Sequence, residues 1–316
     1  MRMLLLLSSL IVLPIASAHD DHDWRLDYEA FLNVTIEAPM AQKSLRRLNV
    51  APKRVDMNYF KTNLAVFANV ERKSNVNLDV SRNFLAEEYK KLGFDVSLHP
   101  FSTGTNFVAE KKGTMNPEKV LVISSHIDSV GNKGANDNGT GTIGALAVAK
   151  ELAKNNYDYT IRVLGFDREE DGLKGSDAYV AAIVDKKNII GNINFEMMGH
   201  HAKNDGGFHL IDCDKPFLWN VSRQGSEVLS SEVKKSIETL GLDLTVVKTC
   251  TGRSDHASFW RHKIPAIVIS ENFFGGDADP CYHARCDVVD ERLNYDYMGK
   301  ILEAVLDTTE KFLKAP

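Results

Sequence analysis

From Tyr59 onward the apolar residues fall into two periods, and the alternation between them lays out the chain. Phe60, Leu64, Phe67 and Val70 recur at helical spacing. Val80, Phe84, Leu85, Tyr89 and Leu92 do the same, and Gly93 stands where a helix would end. Residues 94–101 alternate as a strand does. Val120-Leu121-Val122-Ile123 is continuously apolar, which predicts a strand buried on both faces. Further strands are predicted at 160–166, 189–195, 208–211, 242–247 and 266–269. Helices are predicted at 141–152, 173–184, about 217–240 and 295–312. Apolar strands alternating with helices predict an α/β sandwich with a largely parallel central sheet. No internal repeat or low-complexity linker divides this pattern.

Upstream of it the pattern is weak. Residues 1–18 read as a secretory signal: Arg2 is positive, residues 4–15 are apolar, and Ala16-Ser17-Ala18 suits cleavage. The run is short for a bilayer span, and no other stretch approaches that length. Residues 19–52, opening on His19-Asp20-Asp21-His22-Asp23, are expected to be an extension or pro-segment before a domain at 53–316. The product would be exported, either extracellular or periplasmic, and free of the membrane once the signal is cleaved.

Composition adds little beyond this. The 316 residues are 43% hydrophobic and 26% charged, with a formal net charge of −5, so nothing electrostatic points to nucleic acid. Export makes the four cysteines readable. Cys213, Cys250, Cys281 and Cys286 form no C-x-x-C pair, so disulfides are expected over a zinc finger, with three pairings open. Asn33, Asn138 and Asn220 fit the glycosylation sequon, but Asn138 lies in a turn-like cluster where a turn role is expected. Trp24, Trp219 and Trp260 show no functional pattern.

The chemistry-bearing fragments follow the buried strands, where ligands gather in open α/β sheets. They are Ser125-His126-Ile127-Asp128, Asn136-Asp137-Asn138-Gly139, Asp167-Arg168-Glu169-Glu170-Asp171, Phe195-Glu196-Met197, Ser254-Asp255-His256 and Cys281-Tyr282-His283. Alone, each is ordinarily a cap, a turn or a solvated charge. Together they place histidines and several carboxylates at successive strand ends, a donor set suited to zinc and to a bridged pair of ions.

As an ordered set over about residues 58–313, these fragments resemble the secreted two-zinc aminopeptidase family. That family of metallopeptidases also includes glutaminyl cyclase and plasma glutamate carboxypeptidase. The resemblance implies a three-layer αβα sandwich with a mostly parallel, mixed sheet of the zinc-exopeptidase kind, and two Zn²⁺ ions per chain. It implies that His126 binds one zinc, with Asp128 orienting its ring from behind, and that Asp137 bridges both ions. Glu170 and His283 would hold the second ion, and Glu169 would be the general base. Tyr282 would stabilise the developing oxyanion. Asp255 and His256 would act in support. Glu196 stands where the family usually has aspartate, which leaves amine recognition and the number of ions open.

The implied activity is zinc-dependent removal of an N-terminal residue from peptides with a free N-terminus. A zinc-bound hydroxide would attack the first peptide bond, with Glu169 taking its proton. A glutaminyl cyclase-like aminoacyltransferase and a dipeptidase or carboxypeptidase of the same fold are the enzymatic alternatives. A non-catalytic binding protein on a dead peptidase domain would be expected to have lost ligands, and every implied metal position here carries a competent side chain. Side-chain preference and oligomeric state are not legible.

Overall fold

A computed structural model describes residues 53–213 and 225–315. The signal-like residues 1–18, the 19–52 segment, Trp24, Trp219, the sequons at Asn33 and Asn220 and the start of the helix expected from about 217 lie outside the described residues. Two helices come first, α1 (Met57–Phe67) and α2 (Asn75–Lys91). Asp56 caps α1 by accepting from the Asn58 and Tyr59 amides, and Ser74 caps α2 through the Asn77 amide. α2 turns its buried face through Leu78, Ser81, Arg82, Leu85 and Tyr89, so Val80, expected on the apolar face, is 52% exposed.

β1 (Asp95–Phe101) forms a hairpin with β2 (Gly104–Lys111), a strand the hydrophobic pattern did not predict. Its Thr, Asn, Glu and Lys positions dilute the apolar signal, and only pairing with β1 and β4 identifies it. The remaining order is β3 (Asn116–His126), α3 (Gly141–Leu152), β4 (Tyr159–Phe166), α4 (Lys174–Ala182) and β5 (Ile189–Phe195). After these come β6 (Gly207–Ile211), α5 (Ser226–Leu240), β7 (Thr245–Val247), α6 (His256–Arg261), β8 (Ala266–Glu271) and α7 (Tyr295–Phe312).

All eight strands join one sheet in the order β1-β2-β4-β3-β5-β8-β6-β7. The central β4-β3-β5-β8 block is parallel, whereas β2 joins β4 and β6 joins β8 antiparallel. Strand alternation divides the core in two. Leu121 and Ile123 face a cluster shared with α1, α2, α3, α5 and α7, while Val120 and Val122 face one shared with α4 and α6. The sheet is therefore the middle of three layers, and β3 is buried on both faces as its sequence predicts.

Both cysteine pairs are bonded, Cys213 to Cys250 and Cys281 to Cys286, which decides among the three pairings. The first ties the end of β6 to the segment after β7. The second closes a short loop around Tyr282 and His283. Among the described residues no helix is long and apolar enough to cross a membrane.

Candidate metal centre

The parallel block delivers its C-terminal ends to one place. His126 is the last residue of β3, Glu196 follows β5 directly, and Glu169 and Glu170 lie just beyond β4. Asp137 comes from the buried irregular turn Ala135–Thr140 that leads into α3, and its peptide bond to Asn138 is cis. Asn138 is wholly buried there, its amide donating to the Phe195 carbonyl and its Oδ1 accepting from the Gly141 amide. That is the turn role expected of it.

Asp137 stands at the middle of the cluster. Its Oδ1 is 3.4 Å from His126 Nε2, and its Oδ2 is 3.2 Å from His283 Nε2. His126 Nε2 also lies 3.3 Å from Glu196 Oε1, and His283 Nε2 lies 3.1 Å from Glu170 Oε2. Beside an overlapping group His126–Glu169–Glu170, two donor groups result, His126–Asp137–Glu196 and Asp137–Glu170–His283, each with ligand atoms within 4.8 Å of one another. They share one carboxylate and use a different oxygen for each. That is the donor arrangement of two divalent cations bridged by a carboxylate.

The supporting contacts fit this arrangement. His126 Nδ1 faces Asp128, 3.2 Å from its carbonyl oxygen and 3.5 Å from Oδ1, so the proton belongs on Nδ1 and the Nε2 lone pair faces the donors. Asp128 does more than orient that ring: its two carboxylate oxygens accept from the Glu169 and Glu170 amides at 3.1 Å each. One buried aspartate thus fixes both the β3 and β4 contributions. Glu196 Oε2 accepts from Ser254 Oγ at 2.6 Å, and Ser254 Oγ accepts from Asn194 at 2.9 Å. The extra methylene of Glu196 is thereby held, with Oε1 turned to His126. His283 sits in the left-handed region at φ 55°, inside the Cys281–Cys286 loop.

Charge crowding shapes the acid–base character. Burial and neighbouring Asp137 push Glu170 up to about 7. Glu169 is raised well above the carboxylate range by burial, with Glu170, Asp255 and Glu196 adding to it against the opposing pull of His126. Burial opposes ionisation of Asp137 as well, yet the two imidazoles hold it below its ordinary value. So many carboxylates on two imidazoles leave net negative charge, and a divalent cation is the group this donor set fits.

The centre opens into a cleft of about 540 Å³, counting its mouth. Met197, Ile211, Val268, Phe273 and Phe274 give it an apolar wall, and Tyr282 stands between that wall and His283. Tyr282 stacks on His283 with ring centroids 3.8 Å apart, and burial raises its phenol above the usual range.

The fold and this geometry have counterparts among known proteins. The model of "Peptidase family M28" matches residues 106–309. The chain belongs to peptidase family M28. Leucine aminopeptidase 2 of Arthroderma otae is 32% identical over 206 residues, 60% of this chain and 41% of that protein. The chain thus spans about two fifths of the length of the curated relatives it matches. An aminopeptidase from Aneurinibacillus sp. strain AM-1 superposes with a TM-score of 0.72 at 16% identity, covering 84% of this chain and 95% of that one. Glutaminyl cyclase from Porphyromonas gingivalis superposes with a TM-score of 0.68 at 15% identity, covering 83% and 100%. One fold therefore carries proteins named for two reactions, and the M28 scaffold alone does not choose between them.

Not every M28 residue expected at the centre reaches it. His126, Asp128, Asp137, Glu169, Glu170, Glu196 and His283 come together. Asp255 is fully buried behind them, pushed up to about 7 first by burial and further by Asp128 and Glu196. His256 is set apart: its Nε2 donates to the Thr251 carbonyl at 2.8 Å and its ring packs edge-on against Trp260. It supports the cleft wall rather than the donors. Sequence reading missed Asp287, which accepts from the Asn136 and Asp137 amides at 2.7 and 3.0 Å and so braces the shared carboxylate. Its place beside Cys286 was the available signal.

Two buried histidines away from the donors predict a pH effect. Burial pushes His209 and His256 down to about 4 from 6.5, so the unfolded chain binds protons that the folded chain refuses between those values. Their contribution is complete above pH 6.5 and is lost as pH falls toward 4, on the order of 3 kcal/mol for each. Urea midpoints for wild type and His209→Gln at pH 7 and pH 4.5 check this. The acid-induced loss should be smaller in the variant, and equal losses would refute it.

Proposed function

We propose that this chain is a secreted zinc aminopeptidase acting on peptides with a free N-terminus. The observation that carries the reading is the pair of donor groups sharing Asp137, with Glu169 beside them at the head of an apolar-walled cleft. Imidazole nitrogens and carboxylate oxygens at such spacing suit zinc. His126, Asp137 and Glu196 would hold one ion, and Asp137, Glu170 and His283 the other. When bound, the ions supply the positive charge that lowers the pKa of water toward about 7 and polarises the scissile carbonyl.

The protein's own groups have separate tasks. Glu169 takes the proton of the attacking water and passes it to the departing amine. Its crowded, buried position makes it more basic than an ordinary glutamate. Tyr282 offers its hydroxyl to the oxygen that gains charge. The carboxylates crowded at the head of the cleft suit a substrate ammonium, and the apolar wall suits an apolar first side chain. The signal-like residues 1–18 and the two disulfides support export.

A peptide panel tests the assignment on zinc-loaded protein. Release of the first residue from free but not N-acetylated peptides is the expected outcome. Ammonia release from a Gln-initial peptide without chain cleavage would replace it with the cyclase reaction. Cleavage confined to dipeptides, or insensitive to acetylation, would replace it with a dipeptidase or carboxypeptidase.

A further inference from the structure

Ring contacts run end to end along the cleft wall. His209 lies 5.7 Å from Phe274, Phe274 lies 5.1 Å from Phe273, Phe273 lies 4.8 Å from Tyr282, and Tyr282 stacks on His283. One end of this row is a candidate metal ligand. The other is a fully buried histidine hydrogen-bonded to Val247 and Phe274.

His209 sits in β6, in register with Val247 on β7 and Ser270 on β8. It shares its strand face with Ile211, two residues on, which lines the cleft. Its Nδ1 is 2.9 Å from the Val247 carbonyl oxygen, and its Nε2 is 2.9 Å from the Phe274 amide nitrogen. A carbonyl only accepts and an amide only donates. The ring is therefore neutral with its proton on Nδ1, and its Nε2 lone pair receives the Phe274 N–H. The held segment is a turn in which Phe273 N donates to the Glu271 carbonyl and Asp277 N to the Asn272 carbonyl, with Gly276 left-handed at φ 82°, and His209 reaches it from the neighbouring strand at the Phe274 amide.

We propose that His209 is a positioning residue for substrate selection: by clamping the Phe274 backbone to β7 it fixes the Phe273–Phe274 wall, and so favours peptides that begin with a bulky apolar residue. The inference rests on the aminopeptidase reading for its substrate and on the clamp for its cause. A loosened wall would lose shape complementarity to a large side chain and leave a small one little affected. One methylene in an apolar pocket is worth roughly 10–200-fold in discrimination.

The test uses two variants that divide the clamp. His209→Asn keeps a donor where Nδ1 reaches Val247 but presents no acceptor to Phe274, whereas His209→Gln places an acceptor where Nε2 stood. Leu-initial and Ala-initial peptides are compared by kcat and KM, and exchange of the Phe274 amide is followed by NMR. In His209→Asn the Leu-over-Ala ratio of kcat/KM should fall about tenfold, chiefly through the KM for Leu, and the Phe274 amide should exchange faster. His209→Gln should return both toward wild type. An unchanged ratio, or equal losses on both peptides through kcat, would overturn the selection role. A wild type that cleaves neither peptide would sink the aminopeptidase reading. The clamp itself falls if Phe274 exchange in His209→Asn matches wild type.

Discussion

Replacing Glu169 with glutamine is expected to lower kcat by roughly 10²–10⁴-fold while zinc content stays at the wild-type level. Glutamine keeps the size of the side chain and its backbone tie to Asp128, because the Glu169 amide makes that contact and survives the change. What disappears is the carboxylate proposed to accept the water proton. Glu170 stands next in sequence, but its Oε2 faces His283 at 3.1 Å, where the proposed reading makes it a metal ligand. Paired measurements of kcat and of metal by atomic emission check the result. Near-normal turnover would assign the proton transfer elsewhere. A loss of zinc would instead mean that Glu169 serves as a ligand, a role its closeness to His126 and Glu170 makes worth excluding.

Arg72→Met should produce the largest loss of stability, on the order of 3–5 kcal/mol and about 10 °C in Tm. The Arg72 side chain is fully buried over the Phe67 ring. Its guanidinium donates to the carbonyls of Ile127, Lys133 and Gly134, and its backbone exchanges two hydrogen bonds with Ser129. Those contacts close the loop between His126 and Asp137 on itself. Gly134 is required there, because a Cβ at its left-handed position would collide with the Asp137 carbonyl and the Arg72 guanidinium. Burial lowers Arg72 to about 10, against the pull of Asp287, Asp128 and Asp137, so it remains a cation at neutral pH. Methionine fills the space but takes a donor from all three carbonyls, leaving Gly134 only the Gly139 amide, and lysine supplies one charge without the fork that reaches all three. Thermal melts of the zinc-free proteins read this loss directly. Competition with a chelator should show weaker metal binding in the variant, and an unaltered Tm would refute the bracing role.

The strongly periodic segments were legible because their burial is uniform. Val120-Leu121-Val122-Ile123 is apolar at every position and faces two cores, and 295–312 coincides with α7, whose buried stripe runs from Tyr297 to Thr309. β2 was not legible, since a strand near the sheet edge satisfies its backbone by pairing and needs no continuous apolar run. Arg72 gave no signal either, as an arginine ahead of a helix cap is ordinarily solvated, and only the approach of the 127–134 loop gives it acceptors.

The sequence by itself determined which donors exist and that each follows a buried strand or turn, because parallel strands put their C-terminal residues at one edge of the sheet. Tertiary structure alone decided which of them meet. The 196–Ser254 contact, the division of Asp137 between two imidazoles, the bracing by Asp287 and the clamp from His209 to Phe274 all join residues distant in the chain. Hydrogen-bond geometry is set by packed backbones within a few tenths of an ångström, and no spacing of residues along a sequence specifies distances at that scale.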